Sequence, residues 1–268
     1  MPPAAGLDVR SLNALPALNV GLRPESYHTQ SMQIENGDLN RKAKYTIINK
    51  KIPRKKYLII YNMKLLELFS GTGSVGKVAK ILGYDVISLD IKNADINTDI
   101  LTWNYKQYEV GYFDIIHASP PCTEYSIAKS TGVRNIEAAN NIVLKTLEII
   151  EYLNPKHFII ENPQTGQLKN QWFMYGLPYR DIDYCKYGTP YRKRTRIWNN
   201  IFNWEPQPLC LGDCGNTEKG NGNRYRHLSS PQRGPTHSIP NNKFKQSDLY
   251  KIPAVLIYEI LESIEVKY

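Results

Sequence analysis

The stretch KLLELFSGTGSVGKVAKIL, residues 64–82, constrains the fold more than any other part of the chain. A short apolar run meets Gly71, Gly73 and Gly76 in the pattern G-x-G-x-x-G. Val75, Val78, Ala79 and Leu82 then recur at helical spacing until Gly83. Glycines between a strand and a helix let a ligand approach the backbone N–H groups at a helix start. Asp90 ends the following strand, DVISLD (85–90), at a distance that suits a ribose hydroxyl. The loop therefore fits an adenosine-bearing cofactor, and does not choose between a dinucleotide and S-adenosylmethionine.

The pattern repeats downstream. YFDIIHAS (112–119) and HFIIEN (157–162) read as buried strands. IEAANNIVLKTLEIIEYLN (136–154) reads as a long amphipathic helix with Ile136, Ala139, Val143, Leu147 and Ile150 on one face. Strands alternating with helices predict an α/β domain, a mainly parallel sheet with helices on both faces. Such sheets bind ligands at the carboxyl ends of their strands. Residues 205–248 are rich in Gly, Asn, Pro and Arg and read as a loop-rich insert. SDLYKIPAVLIYEILESI then predicts a final helix capped by Ser247 or Asp248.

Charge is uneven along the chain. Residues 1–62 hold ten Lys and Arg against four acids, a local +6 that leaves +3 of the formal +9 for 63–268. They lack a sustained period, and a basic, poorly ordered extension is expected there. A catalytic domain over 63–200, a small target-recognition region over 201–248 and a C-terminal helix over 249–268, packed back on that domain, complete the expected organisation. Four cysteines in 268 residues do not make a disulfide framework, and no apolar run is long enough to span a bilayer. A soluble intracellular protein with reduced thiols is expected, with no membrane and no obligate protein partner.

Cys122 stands out among those cysteines. It follows Pro120 and Pro121 at the end of a strand, where fixed φ angles stiffen the loop and aim the side chain. Polar neighbours Ser119, Thr123 and Glu124 suggest an open rim. Glu161 ends another apolar strand, a costly place for an acid without a partner or a task. In TPYRKRTRIW (189–198), Arg192, Arg194 and Arg196 alternate, so an extended segment would show them on one side.

Together, LELFSGTGSVG, SPPCTEYS, IIENP and CKYGTPYRKRTRIW resemble, in order, the motifs of the cytosine carbon-5 methyltransferase family. The resemblance covers about residues 64–200 and looks closest to short orphan-type enzymes of large DNA viruses and phages. It implies a Rossmann-like sheet that binds S-adenosylmethionine and a DNA substrate whose base is flipped. It assigns the nucleophile to Cys122 and the base-holding acid to Glu161, with Arg196 and Arg194 at the base O2 and the Cys122 loop. Phe69, Gly71, Gly73, Asp90, Asp99, Ile100 and Pro121 would hold the cofactor. Ser126, Arg192, Arg224 and Arg226 would meet nucleic acid.

The chain departs from the family pattern where Arg192 replaces a usual Gln and Pro163 a usual Val. An RNA (tRNA) cytosine methyltransferase and an inactive nucleic-acid-binding member of the same fold remain open. An amino-methyltransferase lacks support, because Ser119 and Cys122 stand where it needs an amine acceptor and an aromatic residue. A dehydrogenase explains neither Cys122 nor Glu161. Cys210-x3-Cys214 with His227 or His237 has a loose zinc spacing, and no metal site is expected.

Overall fold

A computed structural model describes residues 63–127, 129, 132–220, 225–229, 244 and 246–265. The expected extension over 1–62 and part of the 201–248 region lie outside the described residues.

Five parallel strands come first: Lys64–Leu68 (β1), Asp85–Asp90 (β2), Ile96–Asn97 (β3), Ile115–Ala118 (β4) and His157–Pro163 (β5). Tyr179–Asp183 (β6) and Arg194–Asn199 (β7) then extend the sheet by antiparallel pairing, in the order β3-β2-β1-β4-β5-β7-β6. The chain leaves β1 toward β2 and β3, then returns to its other side at β4. The switch point thus falls between β1 and β4. The glycine loop follows one of these strands and the Pro120-Pro121-Cys122 loop the other. Open α/β sheets bind ligands at this place.

Helix Ser74–Ile81 (α1) links β1 to β2, and Ile136–Leu153 (α2) links β4 to β5. The two crossovers run in opposite directions across the sheet, so right-handed connection puts the helices on opposite faces. Helix α2 buries Ala139, Val143, Leu147, Ile150 and Leu153, one stripe at helical spacing. Asn135 caps its start by accepting the Ala138 N–H at 3.0 Å, and Asn154, at φ 45°, ends it. On the other face, Val75, Val78 and Ala79 of α1 pack with Leu256, Ile257, Ile260 and Leu261 of the last helix, Ala254–Glu265.

That last helix begins later than its expected cap. Ser247 and Asp248 lie instead in a single turn, Gln246–Leu249 (α3). Proline disfavours helical backbone in the residue before it, here Ile252, so the long helix (α4) starts only after Pro253. Ser74 accepts the Ile252 N–H at 3.3 Å, which ties this break to the start of α1. In the loop-rich region Thr217–Lys219 (β8) pairs antiparallel with Tyr225–His227 (β9). Among the described residues no helix is long and apolar enough to cross a membrane.

His117 sits in the middle of β4, beside Glu67 of β1 and Ile159 of β5, and against Val75 of α1 and Leu256, Ile257 and Ile260 of α4. Its Nδ1 is buried without a partner among the described residues. Burial pulls its pKa down to about 4, with Glu161 opposing. The unfolded chain binds this proton near pH 6.5 and the folded chain does not, so stability falls as pH drops from 6.5 toward 4. Between about pH 7.5 and about pH 5, wild type should lose about 2 kcal/mol relative to His117→Leu in urea unfolding. Parallel pH profiles for the two proteins would contradict this.

Candidate active site

The three glycines do separate jobs. Gly71 (φ 48°) and Gly73 (φ 64°) take left-handed backbone, as does Phe69 (φ 58°) at the end of β1. A side chain at Gly71 would meet only the Phe69 carbonyl, at 3.8 Å, so the loop leaves open room where a ligand can approach. Gly76 is different. A Cβ there would come within 2.6 Å of Glu67 Oε2, so this glycine serves packing. Glu67 is buried under the start of α1 and accepts the N–H groups of Val75 (3.1 Å) and Gly76 (3.0 Å). Burial pushes its pKa up to about 6, against those two hydrogen bonds. No single-residue pattern singled out Glu67; its place in β1 facing α1 is the signal.

Asp90 accepts the Gly71 N–H at 2.8 Å and the Ile91 N–H at 2.7 Å. It therefore braces the loop, and each oxygen keeps capacity for a further donor such as a ribose hydroxyl. Asp99 is exposed and accepts the Leu101 N–H at 2.9 Å, while Ile100 is buried. The open glycines and the acid beyond them fit an adenosine cofactor.

The Pro120-Pro121-Cys122 loop is held from both sides. Asn162 Nδ2 donates to the Pro120 carbonyl at 2.9 Å. Tyr125 is fully buried, donates to Asn140 at 2.8 Å, and its carbonyl accepts the Gln167 N–H at 2.9 Å. Cys122 is half-buried between these anchors, Pro121 is exposed, and the Ser126 N–H closes the turn on the Thr123 carbonyl at 3.3 Å. Two buried polar atoms at this loop, Ser119 Oγ and Asn162 Oδ1, have no hydrogen-bond partner among the described residues. Unpaired polar atoms of this kind suit a polar ligand.

Glu161 is buried at the carboxyl end of β5. Its Oε1 accepts the Tyr184 hydroxyl at 2.8 Å and lies 3.6 Å from Lys193 Nζ. Lys193 also lies over the Tyr184 ring, 4.9 Å from its centroid. Burial pushes the Cys122 thiol up from its ordinary value, Glu161 adds to this, and the Lys193 charge opposes both. Cys122, Glu161 and Lys193 thus share one electrostatic environment. Tyr184 and Lys193 were not among the residues picked from the sequence.

The arginine row needs correction. In β7, Ile197 stands opposite Glu161, whereas Arg196 stands opposite Asn162. Directly opposed residues share a face and neighbours alternate, so Arg194 and Arg196 lie on the face away from Glu161. They are also engaged. Arg194 makes a bidentate pair with Asp183 (3.0 and 2.7 Å), and Arg196 one with Asp181 (2.7 and 2.8 Å) while stacking on Tyr179 at 3.5 Å. Lys193, one residue out of phase, is the cation that reaches Glu161.

Arg192 and Arg226 are exposed, and Arg226 pairs with Glu218 at 2.7 Å. Arg224 and His237 fall outside the described residues. The expectation of no metal ligand set also gives way, since Cys185 and His227 come together with Cys210 and Cys214.

Fold and site define an α/β protein with a cofactor-type glycine loop and a rigidly held thiol on either side of a switch point. The sequence profile described as C-5 cytosine-specific DNA methylase matches residues 80–171. A "Probable DNA (cytosine-5)-methyltransferase" of Frog virus 3 (isolate Goorha) is 34% identical over 218 residues, covering 75% of this chain and 99% of that protein. The chain belongs to the C-5 cytosine-specific DNA methylase family. Among solved structures, the Entamoeba histolytica methyltransferase EhMeth aligns at 19% identity and TM-score 0.44, over 55% of this chain and 56% of that one. The S. pombe Dnmt2 methyltransferase aligns at 16% and 0.36, over 50% and 48%. The chain spans about half the length of these two structures.

The charges around Cys122 set its reactivity. Lys193→Gln should slow iodoacetamide alkylation of Cys122 at fixed pH, and Glu161→Gln should speed it, each by roughly threefold to tenfold. In wild type the alkylation rate should keep rising above the pH range of an ordinary thiol. Equal rates in all three proteins would place the two charges out of reach of the thiol.

Proposed function

We propose that this chain methylates carbon-5 of cytosine in double-stranded DNA, with S-adenosylmethionine as donor and a covalent Cys122 adduct on a flipped base. The observation that carries this reading is that Cys122, in the loop after β4, shares its electrostatic surroundings with Glu161 of the neighbouring β5 and with Lys193, while Tyr184 hydrogen-bonds Glu161.

Cytosine carbon-5 is a poor nucleophile. A Cys122 thiolate adding at carbon-6 turns the ring into an enamine. Glu161 holds the base through nitrogen-3 and the exocyclic amine, and its carboxyl gives a proton to nitrogen-3 as the adduct forms. Tyr184 fixes the Glu161 carboxyl by its hydrogen bond. Lys193 stabilises the thiolate, which burial and Glu161 disfavour. It also takes over the contact with the base O2 expected of Arg196 and Arg194, which are held by acids on the opposite face. S-Adenosylmethionine, held by Phe69, Gly71, Gly73, Asp90, Asp99, Ile100 and Pro121, supplies an electrophilic methyl group when bound. Loss of the carbon-5 proton to a base then lets the Cys122 thiolate leave and restores the ring.

The target atom is inaccessible in a duplex, so the base is extruded or already single-stranded. The 201–248 region is small, and each good bidentate base contact gives only about 1–3 kcal/mol of discrimination. A weak or short sequence preference follows. Arg192 and Arg226, exposed, and Ser126 near the Cys122 loop are suited to backbone contacts; Arg224 is assigned to the same role from the sequence alone.

Purified protein, labelled S-adenosylmethionine and either plasmid DNA or tRNA, with bisulfite sequencing of the plasmid, test this reading. Methylated plasmid cytosines in a short motif are expected, and Glu161→Gln should lower turnover by about 10²–10⁴. Methylation of tRNA alone would overturn the substrate. DNA binding without methylation would favour an inactive module.

A further inference from the structure

Cys185 follows β6 in a short 3-10 turn, Tyr184–Tyr187. Cys210 and Cys214 lie in the loop after β7, and His227 ends β9. Cys185 is remote in sequence from Cys210, Cys214 and His227, yet one ligand atom from each of the four lies within 4.8 Å of all the others. Cys185 and Cys210 are buried, and Cys214 and His227 are half-buried. We propose that Cys185, Cys210, Cys214 and His227 bind a structural zinc ion that clamps the loop-rich region to the edge of the catalytic sheet.

The distances suit the metal. Tetrahedral zinc with Zn–S of about 2.3 Å and Zn–N of about 2.0–2.1 Å places sulfur and nitrogen ligands about 3.6 Å apart. His227 Nε2 lies 3.6 Å from Cys210 Sγ and 3.4 Å from Cys214 Sγ. Three thiolates and one imidazole form a soft, closed donor set, which selects zinc over magnesium or calcium and leaves no open position for catalysis.

The surroundings orient these ligands. The Gly212 N–H donates to Cys210 Sγ at 3.4 Å. Gly212, at φ 101°, permits the tight turn, and a Cβ there would come within 2.6 Å of the Tyr225 ring. Lys186 pairs with Asp213 at 2.7 Å and pins the turn to the residue after Cys185. Such outer contacts fix ligand geometry around a metal.

The clamp joins two functional parts of the protein. Asp183 accepts the Cys210 N–H at 3.0 Å with the same carboxylate that holds Arg194. Cys185 is the next residue after Tyr184, which holds Glu161. The ion thus anchors the region expected to contact the target at the strand edge that positions Glu161.

Full-length protein purified without chelator should contain about one zinc per chain by inductively coupled plasma mass spectrometry. Cobalt substitution should give the intense visible bands of a tetrahedral site and a thiolate charge-transfer band. Cys214→Ser and His227→Ala should lose most of the metal, while Cys122→Ser should keep it. Stripping the wild type with a chelator should expose residues 205–229 to protease, and zinc should restore protection. Zinc well below stoichiometry after growth and purification with added zinc would overturn the proposal. So would an octahedral cobalt spectrum, or a Cys210–Cys214 disulfide in the protein as isolated. These readouts are independent of methyl transfer, so an inactive protein could still confirm the site.

Discussion

A carboxylate buried at the end of β5 needs partners, and much of the molecule supplies them. Glu161 is only 6% exposed. An isolated charge there would be costly to desolvate. Its partners, Tyr184 and Lys193, come from the turn after β6 and the segment entering β7. The antiparallel pair β6–β7 therefore does more than widen the sheet. It brings a hydroxyl and an ammonium to an acid that the parallel strands alone would leave unpaired. On the reverse face, Asp181–Arg196 and Asp183–Arg194 fix the register of that pair. A slip by one residue would turn Lys193 away and bring the arginines in.

A second buried acid organises the glycine-loop side. Glu67 receives two N–H groups at the start of α1, which otherwise have no helical partner. Gly76 makes room for that contact, while Gly71 and Gly73 leave the loop open. Two buried carboxylates, one on each side of the switch point, thus brace the glycine loop and the carboxyl end of β5. Cys122 lies between them in a loop stiffened by two prolines and pinned by Asn162.

Much of this was legible because it is local. The strand–glycine–helix unit, α2 and the β5 strand follow from apolar spacing within short windows, and the loop residues follow from their place at strand ends. The β6–β7 pair was not legible in that way, since its strands mix charged and apolar residues and their pairing is remote in sequence. The alternation of Arg194 and Arg196 correctly puts them on one face, but it does not say which face. The matching alternation of Asp181 and Asp183 was the available signal, visible only once the two segments are paired. Pro253 likewise marked the late start of α4. Cys185 joins the proposed ligand set through folding alone, because it lies far from the Cys210–Cys214 pair in sequence.

The central claim is that the Pro120-Pro121 loop presents Cys122 as the nucleophile toward a cytosine held by Glu161. Its most direct test is a duplex carrying 5-fluorocytosine, incubated with the protein and S-adenosylmethionine. The fluorine replaces the proton whose loss releases the enzyme, so the adduct should persist through denaturation. Peptide mapping should place it on Cys122, and Cys122→Ser should form none. A stable adduct on Cys185, Cys210 or Cys214, or an undiminished adduct in Cys122→Ser, would contradict the account.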